Sequence, residues 1–255
     1  MPSVWAIGYV LLGLLLGSVL NLMADRMPLN QPLLARPRCP TCGRVLSILE
    51  SCAWLRLGTR RFHAHRCALP EENRHVLVEV ATAGLFLVAW MRFGPSWSLL
   101  AASFVLCVLV VVFVVDLEHR LVLDRLILPA SVVALLSTAI QHDPWSAVIG
   151  GLVGLVLFGI FFGLTFLVYH QGLGFGDVKL ALFIGLAVGW PIVLPSLAIG
   201  IFLGGVISLG LLLLRLVRRH SYVPYAPFLA MGAMVGVLYG SDIVRAYLSM
   251  YGWQG

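Results

Sequence analysis

Charge is what this chain has least of. Only 11% of its 255 residues are Asp, Glu, Lys or Arg, against 60% hydrophobic, where a soluble domain carries roughly 25% charged residues. That shortage excludes a water-soluble fold and points to a bilayer. Lysine is nearly absent, Lys179 being the only one. The apolar stretches lack the alternation of barrel strands, which excludes a β-barrel. The first stretch, Val4 to Ala24, has no basic residue before it and no small-residue cleavage site after it. It reads as a retained span rather than a signal peptide. No repeat relates the two halves, which counts against transporters built from inverted repeats.

What is present is a series of continuous apolar runs, several near the roughly 20 residues that span a bilayer as a helix. Spans are predicted over 4–24, 76–92, 97–115, 126–141, 146–169, 178–194, 196–215 and 226–243. The expected fold is an all-α polytopic membrane protein of about eight transmembrane helices with one cytoplasmic zinc-knuckle-like loop. Its parts are a first helix (1–24), the loop (25–75) and a helical bundle (76–255). With the N-terminus outside, fifteen of the 17 Lys and Arg residues fall in cytoplasmic loops, and only Arg92 and Arg245 outside. Positive residues mark the cytoplasmic side, so both termini are expected outside it. The formal charge of +6 then reads as topology, with the lipid bilayer as partner and no nucleic acid.

Residues 25–75 are too few for a large soluble domain, and a fold this small needs a metal or disulfides. RCPTCGR supplies Cys39 and Cys42, and HAHRC supplies His63, His65 and Cys67. A C-x-x-C knuckle followed some twenty residues on by a second ligand pair is the plan of a structural zinc site. On the reducing side of the membrane, thiolates bind metal more readily than they form disulfides. The expected site has three cysteines and one histidine, His63 or His65, with Cys52 as an alternative ligand. The competing reading is a basic loop with unpaired cysteines lying on anionic lipid. Cys107, in the third span, reads as a small packing residue.

Eight of the eleven acidic residues sit in predicted loops, leaving Glu79, Asp116 and Asp177 in or at the ends of apolar spans. Ionisable residues at membrane depth are functional candidates. Asp116 ends FVLCVLVVVFVV and Asp177 begins VKLALFIGLAVG, both at cytoplasmic helix ends in this topology. Two close carboxylates in a low-dielectric site titrate as a unit, the arrangement of an aspartic protease. Gly172, Gly174 and Gly176 let backbone approach backbone, and irregular backbone at membrane depth is tolerated where it is buried or lines a wet cavity. For Lys179, a reach to the lipid headgroups is favoured over biasing the pair. The competing reading of Asp177 is a helix N-cap, which would not explain Asp116.

Taken together, these motifs resemble the bacterial type IV prepilin peptidases, the G-x-G-D aspartic protease family. LGSVLNLMADRMP (16–28) is similar to the family's N-terminal motif, with Gly17, Ser18, Asn21, Arg26 and Pro28 in place. CPTC (39–42) resembles its first zinc knuckle, and HVLVEVATAGLF (75–86) its second span, with Glu79 at the acidic position. DLEHRLVLD (116–124) and GFGDVKL (174–180) resemble its two catalytic segments, and VPYAPFLAMGA (223–233) its C-terminal proline-containing segment. The resemblance implies that Asp116 and Asp177 cleave prepilins or type II secretion pseudopilins after a glycine. Gly174, Gly176 and Lys179 would form the active-site loop, in a bacterial inner membrane. It also implies methylation of the new N-terminus with S-adenosylmethionine, with Glu79, Asn21 and Arg26 binding substrate or serving the methyl transfer. The chain departs from the family at Ala64, where the second C-x-x-C begins, and at Leu123 and Val76, where the family has proline. None of these touches the aspartates. A proton-coupled transporter and a scaffold without chemistry are the alternative readings.

Overall fold

A computed structural model describes residues 2–33, 54, 72–141, 143–169, 174–214 and 224–250. Among these the chain is all helix, with no strand. The eight helices are α1 (Pro2–Arg26), α2 (Glu72–Phe93), α3 (Trp97–His119), α4 (Asp124–Gln141), α5 (Pro144–Tyr169), α6 (Phe175–Val188), α7 (Val193–Leu213) and α8 (Ala226–Met250). Seven are long and apolar enough to cross a membrane, which makes the chain a multi-pass membrane protein. The chain divides into two compact units, Met1–Pro95 and Ser96–Gly255.

The exception is α6. A span is expected over 178–194, but the helix occupies Phe175–Val188, 14 residues. It begins earlier because the glycine-rich turn feeds directly into it. It stops at Gly189, whose φ of 71° suits a residue without Cβ. Elsewhere the helices run past their apolar segments. Asp25, Glu72, Glu118 and Asp124 lie within helices, where the sequence suggests loops.

In the first unit α1 packs on α2 through glycine. A Cβ at Gly13 would stand 2.8 Å from the Ala83 Cα, and one at Gly17 2.7 Å from the Glu79 Cα. Four-residue spacing of small residues lets two membrane helices touch along their backbones. Tyr9 stacks on Phe86 with ring centroids 5.1 Å apart.

In the second unit α3 is the most deeply buried span. Ser96 caps its start, accepting from the Leu99 N–H at 3.3 Å. Arg120 ends it in the left-handed conformation, its N–H donating to the Asp116 carbonyl at 3.0 Å. Around it α8 packs on α3 and α7, while α6 packs on α4 and α5. The α5–α6 crossing is close: a Cβ on Gly185 would lie 2.1 Å from the Gly150 carbonyl oxygen.

Candidate active site

Two helix ends set the site in the second unit. Asp116 lies in the last turn of α3 and Asp177 in the first turn of α6. Both are buried, 5% and 4% exposed, although carboxylates are almost never buried unless paired. They stand close enough for the charge of Asp116 to act on Asp177.

Backbone donors hold each carboxylate. The Ala226 N–H, at the start of α8, donates to Asp116. Asp116 Oδ2 is buried and has no hydrogen-bond partner among the described residues. Asp177 is not the N-cap. That position belongs to Gly174, and the Asp177 carboxylate reaches back to accept the Gly174 N–H, as the third helical residue does in a capping box.

The rest of the glycine turn is functional in packing. A Cβ on Gly176 would fall 2.7 Å from the Val122 Cβ, so the α3–α4 connector lies directly on the turn. Lys179 does not serve as a free headgroup anchor. Its Nζ contacts Asp124 Oδ1 at 2.6 Å and Oδ2 at 2.7 Å and lies 4.9 Å from the centre of the Phe175 ring. Asp124 opens α4, and α4 packs on α6.

One nearby group escapes the sequence reading. Tyr225, just before α8, lies within electrostatic reach of Asp177. Its ring packs against Phe158 and Phe228, with centroids 6.4 Å away in each case. A lone hydroxyl inside a proline-containing segment gives little signal.

The first unit brings together the other expected residues. Glu79 is fully buried. It accepts from the Ser18 hydroxyl at 2.6 Å and from the Trp54 N–H at 2.9 Å. One turn along α1, Asn21 Nδ2 donates to the His75 carbonyl at 2.9 Å, while its buried Oδ1 has no partner among the described residues. Arg26 Nη1 donates to the carbonyls of Pro32 and Leu33. Asp25 pairs with Arg74 and with His75. Cys39, Cys42, Cys52, His63, His65 and Cys67 lie outside the described residues, and Gly172 does too.

A multi-pass protein with two buried aspartates on facing helix ends has the parts of an intramembrane aspartic protease. Models of two families match: the type IV leader peptidase family over residues 103–209 and the bacterial peptidase A24 N-terminal domain over 11–93. The prepilin leader peptidase/N-methyltransferase of Aeromonas salmonicida is 31% identical, covering 94% of this chain and 92% of the relative. Those of Aeromonas hydrophila (29%; 94% and 93%) and Pseudomonas aeruginosa (27%; 99% and 97%) are similar over the same extent. No solved structure matches. The chain belongs to the type IV leader peptidase family, and the transporter reading finds no support in these likenesses.

Proposed function

We propose that the chain is an aspartic endopeptidase of the bacterial inner membrane. It removes the short basic leader of type IV prepilins or type II secretion pseudopilins and methylates the new N-terminus. The observation that carries this reading is the pair of buried aspartates, Asp116 and Asp177, on two helix ends within reach of each other's charge.

The pair holds one proton between two carboxyl groups. The ionised member takes a proton from a water molecule, whose oxygen attacks the scissile carbonyl. The protonated member donates to that carbonyl oxygen. Collapse of the tetrahedral species breaks the C–N bond, and the proton taken from water goes to the leaving amine. Asp116 Oδ2, without a hydrogen-bond partner among the described residues, is an acceptor suited to that water. Gly174 lets the substrate backbone approach the turn, while the space beside Gly176 is taken by Val122.

Methyl transfer is assigned to the first unit. S-adenosylmethionine would supply the methyl group. The residues fit a cationic amine, since the Glu79 carboxylate and Asn21 Oδ1, which has no partner among the described residues, are buried acceptors. They would bind the new N-terminus there, with Arg26 shaping the end of α1 through its two carbonyl contacts. Zinc held by Cys39, Cys42, Cys67 and either His63 or His65 would order the 25–75 segment. The distribution of arginine supports cytoplasmic leader processing with both termini on the opposite side.

The test is cleavage of a purified prepilin by membranes carrying wild type, Asp116→Asn or Asp177→Asn. Asparagine keeps shape and hydrogen bonding but cannot cycle a proton. Folded variants that leave the precursor whole support the dyad. Wild-type cleavage by either one rules out the aspartyl mechanism.

A further inference from the structure

The ammonium of the chain's one lysine lies on one carboxylate, and that carboxylate belongs to the segment leaving Asp116. Lys179 is two residues past Asp177 and touches both oxygens of Asp124, at 2.6 and 2.7 Å. Asp124 is the first residue of α4. Between Asp116 and Asp124 the chain turns sharply, with Arg120 at φ 54° and its N–H on the Asp116 carbonyl. The short connector then meets α6 a second time, where Val122 lies against Gly176. Two contacts therefore dock the connector after Asp116 onto the helical turn that carries Asp177.

We propose that the Asp124–Lys179 ion pair is a positioning latch, which fixes that connector on α6 and so sets the separation of the two aspartates. This rests on the proposed peptidase reading. The pair is no part of the core, since the Lys179 side chain is 24% exposed and that of Asp124 53%. Exposed ion pairs add little to stability. Catalysis is more demanding, because a misplacement of about 1 Å costs on the order of a hundredfold in rate. The pair therefore governs turnover and not folding.

The test uses the full chain purified in detergent. Its substrate is a synthetic peptide with a short basic leader, a glycine at the cleavage site and an apolar helix after it. Wild type is compared with Asp124→Asn, Lys179→Met, the double variant and Lys179→Arg, with Asp116→Asn as control. Each single change is expected to lower kcat by about 10- to 100-fold with KM unchanged. The double variant falls no further than the worse single, because coupled residues are non-additive. Lys179→Arg recovers most of the rate, its guanidinium spanning both carboxylate oxygens.

Wild-type kcat in the single variants overturns the latch. Losses that multiply in the double also overturn it, since the residues then act separately. So does a loss of folded protein that accounts for the loss of rate. The control separates the two levels. If Asp116→Asn still cleaves, the peptidase mechanism fails; if it is inactive while the pair variants run at the wild-type rate, only the latch fails.

Discussion

Ser18 on α1 donates its hydroxyl to Glu79 on α2 across 2.6 Å, one residue past the glycine that lets those helices touch. Glu79 has no exposure to solvent, so its acceptors are met inside the protein. Ser18→Ala removes one donor from a buried carboxylate, which costs about 1–3 kcal/mol. Denaturant unfolding in detergent reads that loss. Glu79→Gln is expected to abolish methylation and leave cleavage intact, which mass measurement of the processed product checks.

Gly17→Ala places a Cβ 2.7 Å from the Glu79 Cα, with backbone that cannot yield. Overpacking of this kind costs about 1–3 kcal/mol. Gly84 lies in the same pair of helices with nothing within 4 Å of its Cβ position. There Gly84→Ala gains helix propensity, up to about 1 kcal/mol. Opposite shifts in unfolding temperature are the expected result.

Gly176→Ala presses a methyl group onto Val122 and pushes the connector off α6. Cleavage is expected to fall by about tenfold or more, since small misplacements are costly to rate. Val122→Gly in the same chain removes the Cβ and the methyl groups that crowd it, so the double variant regains activity. Peptidase assays on the four combinations decide it, and failure of the second change to rescue rejects the packing account.

Tyr225→Phe removes a hydroxyl within electrostatic reach of Asp177 and keeps the ring between Phe158 and Phe228. Unfolding should be unchanged. The expected fall in kcat is about tenfold, or about 1.4 kcal/mol of barrier, read in the peptidase assay.

The aspartates were legible because charge at membrane depth is costly, and few such residues are present to choose among. Asp116 and Asp177 stood out against long apolar runs for that reason, and Glu79 did too. Helix number was legible from the same runs. Helix ends were not, because polar residues such as Asp25 and Glu118 continue helices beyond their apolar part. The position of Lys179 was read from its own neighbourhood, as a residue free to reach headgroups. Its partner, Asp124, comes from a different helix, and pairing across helices is not written in local pattern. The four-residue repeat of Gly13 and Gly17 is in the sequence too, but it went unread beside the longer apolar pattern. The closeness of α1 and α2 follows from that repeat.

Helix α6 is 14 residues long. At 1.5 Å per residue it measures about 21 Å, against a hydrocarbon thickness of about 30 Å. It is packed by α4 and α5, so lipid cannot simply thin around it to make up the difference. A helix about 9 Å short of that thickness cannot put both of its ends at the membrane surface. Each cleavage consumes one water molecule, which must reach a buried carboxylate in the first turn of this helix. Length is thus a depth setting: whichever end stays at the surface, the short helix fixes how far the other lies below it.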